Sequence, residues 1–368
     1  MRILYVTTIS LTVNSFFKPH IEMLVRDGHE VHIACNVADL PLDNFYTEIG
    51  CTFYQIDFSR SILSHDHFRA CGQLASVIRQ GAYDIVHCHT PNASAITRLV
   101  CRKIRRKEGL KVFYTAHGFH FFRGASKLSW MIYYPIEKLC SRFTDKLITI
   151  NKEDYALAKN KLKAKEALHV PGVGVDLSRF ESIRVDKASK RRELGIPEDA
   201  KLILSVGELN ENKNHQLVIK ALARMGDTRI HYAIAGEGPL RERLFLLARE
   251  RGVDDRVHLL GYRKDIAVLY RISDVFCHPS LREGLPVSLM EAMACGMPAV
   301  CSRIRGNSDL ITAEGGALFD PRDEDDCRRA MESVLNSDLD RMGVINRKNA
   351  QQYSIEGVLA QMKSIYES

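Results

Sequence analysis

No stretch of the 368 residues holds about 18 uninterrupted apolar side chains, the length a membrane-spanning helix needs. The opening run, MRILYVTTIS, is too short for a secretory leader and ends in polar residues. It is expected to form a first β-strand. Low-complexity tracts and short-period repeats are absent, and only one tryptophan occurs. The ten cysteines are scattered with no CxxC pair, which argues against a zinc ribbon or a disulfide framework. Reduced thiols and a cytoplasmic location are expected. His87-Cys88-His89 fails as a metal cluster, because along a strand the two histidines share one face and Cys88 takes the other. No metal is expected.

What is present fits a globular enzyme. Apolar residues make up 45% and charged residues 26%, which excludes a disordered chain. The length predicts two α/β domains of roughly 150–200 residues each. Net charge is uneven: residues 1–175 carry 23 Lys and Arg against 15 Asp and Glu (+8), the remainder 29 against 30 (−1). The first half is therefore the one expected to meet an anionic surface or acceptor.

Short β-rich runs alternate with helical stretches, the pattern of parallel βαβ units. The first half predicts strands at Arg2–Thr7, Glu30–Ala34, Thr52–Ile56, Ile85–His89, Val112–Ala116 and Lys146–Ile150. The second restarts with Lys201–Val206, Ile230–Ala235, Val257–Leu260, Val275–His278 and Ala299–Cys301. Between the halves, Val170-Pro171-Gly172-Val173-Gly174-Val175-Asp176 and a basic stretch to Lys190 mark a boundary. It separates domains 1–175 and 176–351. Two doubly wound, Rossmann-like domains facing each other across a cleft are expected, with ligand beyond the carboxyl ends of the strands.

The most informative segment is HPSLREGLPVSLMEAMACGMPAV, residues 278–300. It leaves a strand and opens a helix, with Pro286 suited to the first turn and Gly296 to the C′ position. The amides of Gly284, Leu285 and Val287 then become unpaired donors at a helix N-terminus, fit for a diphosphate. Glu283 precedes them as an acceptor for sugar hydroxyls, and Glu291 lies eight residues on. Two carboxylates bracketing an anion site suit a nucleotide-sugar, which carries hydroxyls at both ends.

This E-x7-E segment resembles the signature of the family 4 retaining glycosyltransferases of GT-B fold. TAHGFHFF (115–122), ITINKEDY (148–155), VPGVGVD (170–176), SVGELNENKNH (205–215), AGEGP (235–239) and LLGYRKDI (259–266) follow in the family's order. The resemblance spans essentially the whole chain and is closest to the bacterial exopolysaccharide and capsule branch. It implies an acceptor-side first domain, a donor-binding second domain, and a C-terminal helix, about 352–368, packed back on the first. Glu291 would bind the donor ribose, Glu283 the hydroxyls of the transferred sugar, and the amides after Glu283 the diphosphate. Lys213 would neutralise the leaving group, with Gly207 and Glu208 beside it. Gly261 to Arg263 would flank the base, largely through backbone. His117 would take a positioning role.

Two departures from the family pattern stand out. Glu208 replaces a common Arg, so it is expected to contact Lys213 or a hydroxyl. The segment Thr7–Ser15 replaces a glycine-rich loop, so its hydroxyls would turn towards the acceptor. Ser10, Asn14, His20 and His89 are the acceptor-side candidates. The resemblance implies transfer of a hexose, N-acetylated, from a UDP-sugar to a polyprenyl-diphosphate-linked or polysaccharide acceptor, with no cofactor. The rival readings are a UDP-sugar epimerase of the same fold and a non-catalytic sugar-nucleotide scaffold.

Three weaker signals complete the reading. Asp323-Glu324-Asp325-Asp326 is expected to be an acidic helix start, and Gly236-Glu237-Gly238-Pro239 a tight turn. The run Arg98, Arg102, Lys103, Arg105, Arg106, Lys107 and Lys111 reads as a solvated helix end. With the aromatics of 119–134 it suggests docking on an anionic inner membrane leaflet. No stacking motif points to nucleic acid.

Overall fold

The computed structural model describes residues 1–61, 64–181 and 183–368, with side chains given for all of these except residues 106–108 and 181. The chain divides into two compact units, Met1–Val173 with Glu356–Ser368, and Gly174–Ile355.

Unit 1 is built on seven parallel strands: β1 (Arg2–Ile9), β2 (Glu30–Asn36), β3 (Thr52–Gln55), β4 (Ile85–His89), β5 (Lys111–Ala116), β6 (Lys146–Thr149) and β7 (Glu166–His169), in the order 3-2-1-4-5-6-7. Residues alternate between the two faces of this sheet. Leu4, Val6, Val86, Cys88 and Val112 enter one apolar cluster, while Ile3, Tyr5, Ile85 and Phe113 enter the other. The second face is completed by Val358, Met362, Ile365 and Tyr366 of the helix Ile355–Glu367. Both faces are covered, which explains the unbroken apolar reading of the strands.

Unit 2 repeats the plan with β8 (Lys201–Val206), β9 (Ile230–Ala235), β10 (Val257–Gly261), β11 (Val275–His278), β12 (Ala299–Ser302) and β13 (Gly316–Phe319), in the order 10-9-8-11-12-13. In each sheet the strand order reverses beside the first strand, between β1 and β4 and between β8 and β11. That reversal is where doubly wound sheets leave a crevice for ligand. Each unit is a doubly wound, Rossmann-like α/β domain.

Several sequence expectations are corrected. β1 runs on to Ile9 and the helix Ser10–Phe16 starts at once, so Thr7–Ser15 is no loop. Val13 and Phe17, one turn apart, are both buried and hold that helix down. Edge strands β7 (EALH) and β13 (GALF) were not expected, because neither holds a β-branched residue to mark it as a strand. Pro286 is the N-cap of the helix Val287–Ala294, one residue before its first turn.

The basic run is also only partly solvated. Arg98 is fully buried and ion-paired with Glu137, and Arg105 pairs with Asp145. The side chains of Arg106 and Lys107 lie outside the described ones. The aromatics are mostly core: Phe119 and Phe121 are buried, and Trp130, Tyr133 and Tyr134 pack against the same cluster. What the helix Lys127–Cys140 exposes instead is aliphatic and basic, Leu128, Met131, Ile132 and Leu139 with Lys127 and Lys138. Asp323 does cap the helix Glu324–Leu335, accepting from the amide of Asp326.

Candidate functional site

Because β8 and β11 are neighbours at the reversal of unit 2, the segments leaving Val206 and His278 emerge side by side. Backbone bonds join them directly: Leu281 N donates to Asn212 O at 2.8 Å, and Asn212 Nδ2 to Arg282 O at 3.0 Å. The first segment is pinned from its other side, with Gly207 N on Ala235 O (3.0 Å) and Leu209 N on Glu237 O (2.9 Å). Gly236 permits this approach, since a Cβ there would sit 1.9 Å from Gly207 O. The Gly236–Pro239 turn is thus a backbone buttress.

The zipped segments bring Lys213 to Glu283, 70 residues away, with Nζ 2.7 Å from Oε1. His278 Nε2 lies 3.2 Å from the same oxygen. Burial pushes the Glu283 carboxyl up, but the His278 hydrogen bond and the Lys213 charge overcome it and hold the group well below the usual carboxylate range. His278 itself is kept below its ordinary value by burial, against the pull of Glu283. At neutral pH the site thus holds one carboxylate, one ammonium and a neutral imidazole that donates. Among the described residues Glu283 Oε2 has no partner, so one acceptor oxygen remains for a ligand.

Just beyond, the amides of Gly284, Leu285 and Val287 have no acceptor among the described residues. They crowd the positive end of the helix Val287–Ala294, which makes a seat for an anion. Arg305 shapes this turn by donating to Glu283 O at 3.0 Å. Gly306, at φ +79°, presses against it so closely that a Cβ would meet Gly284 O at 2.4 Å. Inside the helix, Glu291 accepts from Tyr270 Oη at 3.0 Å, and burial raises its carboxyl above the ordinary value despite that bond. Arg305, Tyr270 and His278 were not singled out from the sequence. The first two arrive from other elements, and only tertiary structure makes them neighbours.

Two expected members are otherwise engaged. Glu208 accepts from Asn210 Nδ2 at 2.9 Å, and Lys213 pairs with Glu283 instead of Glu208. The Arg263 guanidinium makes two bonds to Asp265, at 2.8 and 2.6 Å, through Nε and Nη2.

In unit 1, His87 and His89 do share a face of β4, with ring centroids 4.2 Å apart. His89 Nδ1 is 3.2 Å from His117 Nε2. His20, on a neighbouring helix, donates through Nε2 to Val173 O at 2.8 Å and lines the same small recess as His89 and His117. His89 Nε2 is buried without a partner among the described residues. A buried N–H without an acceptor is costlier than a bare lone pair, so the proton belongs on Nδ1. His89 then donates to His117 Nε2, and His117 carries its own proton on Nδ1 as a donor for whatever meets it. Ser10 and Asn14 do not join this network. They bond the carbonyls of Leu40 and Pro41, fastening the segment after β2. Among the described residues no group of three or more His, Cys, Asp or Glu is placed to hold a metal.

Burial, with a smaller contribution from His20, lowers His117 to about 4. The unfolded chain binds that proton near the ordinary value of 6.5, so stability is complete above it and is lost as pH falls towards 4. Denaturant unfolding across that window is expected to show a steeper pH dependence for the wild type than for His117→Asn, by up to about 1.4 kcal/mol per pH unit. Equal slopes would remove the buried-neutral assignment.

Comparison with known proteins agrees with this architecture. The model of "Glycosyl transferases group 1" matches residues 186–354, and that of "Glycosyl transferase 4-like" matches 2–151. The putative glycosyltransferase EpsD of Bacillus subtilis is 34% identical over 375 residues, covering 100% of this chain and 96% of that protein. The Escherichia coli UDP-Gal:alpha-D-GlcNAc-diphosphoundecaprenol alpha-1,3-galactosyltransferase is 26% identical, covering 91% and 87%. Among solved structures, Anabaena Alr3699/HepE in complex with UDP superposes with a TM-score of 0.81 at 18% identity, covering 100% of both chains.

Proposed function

The chain belongs to the group 1 glycosyltransferases, and from that premise we propose that it is a retaining enzyme moving a hexose, N-acetylated, from a UDP-sugar to a lipid-linked or polysaccharide acceptor in surface-polysaccharide synthesis. The observation carrying this reading is the Lys213–Glu283 pair set against the bare amides of Gly284, Leu285 and Val287 at the ends of β8 and β11. The UDP bound by the Anabaena neighbour and the donor and lipid-linked acceptor in the E. coli relative's name support the choice of substrates.

In this reading the diphosphate sits on those amides, and Glu291 accepts from the ribose hydroxyls. Glu283 Oε2 accepts from hydroxyls of the transferred sugar. As the bond from the anomeric carbon to the diphosphate breaks, its electron pair goes to the leaving oxygen. Lys213 has three N–H donors, so it can keep Glu283 and still meet that oxygen. The acceptor hydroxyl attacks from the same face, and its proton passes to the departing diphosphate. Positive charge comes from Lys213 and the helix terminus, without a metal. His117 presents its Nδ1–H as a donor and is no general base, since its Nε2 lone pair accepts from His89. The aliphatic face Leu128, Met131 and Ile132 offers contact with a membrane bearing the acceptor.

Thermal unfolding with UDP, GDP, ADP and a panel of UDP-sugars tests the donor site. Ligand at a hundred times its dissociation constant adds about 2.7 kcal/mol, and Glu291→Ala is expected to lose a UDP-selective shift. No shift with any nucleotide would leave a scaffold, and conversion of donor alone to its epimer would make the protein an epimerase.

A further inference from the structure

Unit 1 holds two adjoining hollows that the donor chemistry does not use. The larger, about 280 Å³, has walls of Phe68, Ile96, Leu99, Phe121 and Ile136, drawn from three helices and the segment after β5. The smaller, about 230 Å³, lies at the ends of β1 and β4 and offers Thr12 and Arg60 beside the hydrogen-bonded hydroxyls of Thr8 and Thr90. Pro91, Asn92, His120 and Tyr133 line both, so an apolar groove opens directly onto a polar, cationic one.

The polar end is built. Asn92 Nδ2 donates to Ser59 O (3.0 Å) and Arg60 O (2.9 Å), holding the backbone of Arg60 over the start of the helix Pro91–Glu108. Among the described residues the Arg60 guanidinium has only a loose contact, 3.8 Å, with an exposed Asp39. Such a surface pair is weak, and its cation is available to an anion. The apolar end is left open: Phe68 is 83% exposed and Ile136 is 41% exposed. Apolar side chains gathered at a groove and left to water mark a binding surface.

We propose that this double hollow seats the acceptor's lipid, with the hydrocarbon chain between Phe68 and Ile136 and the diphosphate at Arg60 and Thr12. The charge order matches an amphiphile of one kind, an apolar chain ending in an anionic, acceptor-rich head. The inference rests on the lipid-linked acceptor reading above and assigns that acceptor's tail a place on this chain.

The only tryptophan reports occupancy. Trp130 packs on Phe121, a groove wall, with ring centroids 5.5 Å apart. Its fluorescence is followed while the full chain is titrated with geranylgeranyl diphosphate, with inorganic diphosphate and with geranylgeraniol. Saturable binding of the lipid diphosphate is expected, at least about tenfold weaker in Phe68→Asp and in Ile136→Asn, and weaker still for inorganic diphosphate. Arg60→Gln is expected to weaken the lipid diphosphate and leave geranylgeraniol unchanged. Lipid diphosphate binding that is unaltered in Phe68→Asp and Ile136→Asn, or no tighter than inorganic diphosphate, overturns the proposal. The UDP thermal shift of the same preparations separates the two readings. A shift without lipid binding sinks the groove alone, and lipid binding without a shift sinks the transferase reading alone.

Discussion

Lys213→Ala will lower kcat by about 10²–10³-fold with the preferred UDP-sugar, the usual cost of removing one preorganised donor from a developing oxyanion. In the free enzyme the ammonium faces a carboxylate 2.7 Å away that is held ionised, so the pair is close to neutral towards an arriving donor. When the glycosidic bond breaks, negative charge grows on the leaving diphosphate, and only then does the lysine gain a stronger partner. An interaction that strengthens at the transition state shows in kcat more than in KM. Lys213→Arg should recover part of the loss. The Lys213 side chain is 21% exposed and sits in a turn, so the fold survives, and unfolding curves should confirm it. Initial rates by UDP release decide the matter: a kcat within about threefold of wild type would place the lysine outside the reaction. Glu283→Gln should differ in kind, because the amide still meets sugar hydroxyls but no longer anchors Lys213 or accepts from His278 with a full charge.

Much of this site could be read without coordinates, and the reason lies in chain order. Glu283, the three amides and Glu291 belong to one strand-turn-helix, so their spacing alone fixes their geometry. Lys213 needed only the rule that segments leaving adjacent strands at the reversal of a doubly wound sheet meet. What could not be read depends on pairings that no local period encodes. Tyr270 and Arg305 reach the motif from separate elements. Glu208 turned to Asn210, two residues on, a local bond available to any short polar loop. The run to Ile9 followed by an immediate helix was hidden because Ser10, Thr12 and Asn14 look like loop residues. It is the burial of Val13 and Phe17 against the sheet that decides. The edge strands β7 and β13 lack the β-branched residues that marked the other short strands.

Arg98 shows the same limit most sharply, and its partner supplies the largest expected change in stability. Read as one of a solvated basic run, it is instead fully buried. Its guanidinium meets both oxygens of Glu137, donates from Nε to Ser94 O at 3.0 Å, and lies 4.2 Å over the ring of Tyr114. Glu137→Ala would leave this cation in place, since a guanidinium does not give up its proton. The cost of an uncompensated buried charge is about 3–5 kcal/mol, a fall in Tm on the order of 10 °C for a domain of this size. The double variant Arg98→Met with Glu137→Leu removes both charges, keeps most of the volume, and is expected to unfold near the wild-type temperature or above it. Calorimetry of the two variants separates charge from packing: if Glu137→Ala loses less than about 1 kcal/mol, the arginine has found water and the interior is looser than its burial implies. Either result bears on how unit 1 meets anions. With Arg98 and Arg105 committed to internal carboxylates, the charge that the described side chains of this helix offer a membrane or a lipid head comes from the exposed Arg102 and Lys103. The basic count of the sequence therefore overstates the basic surface.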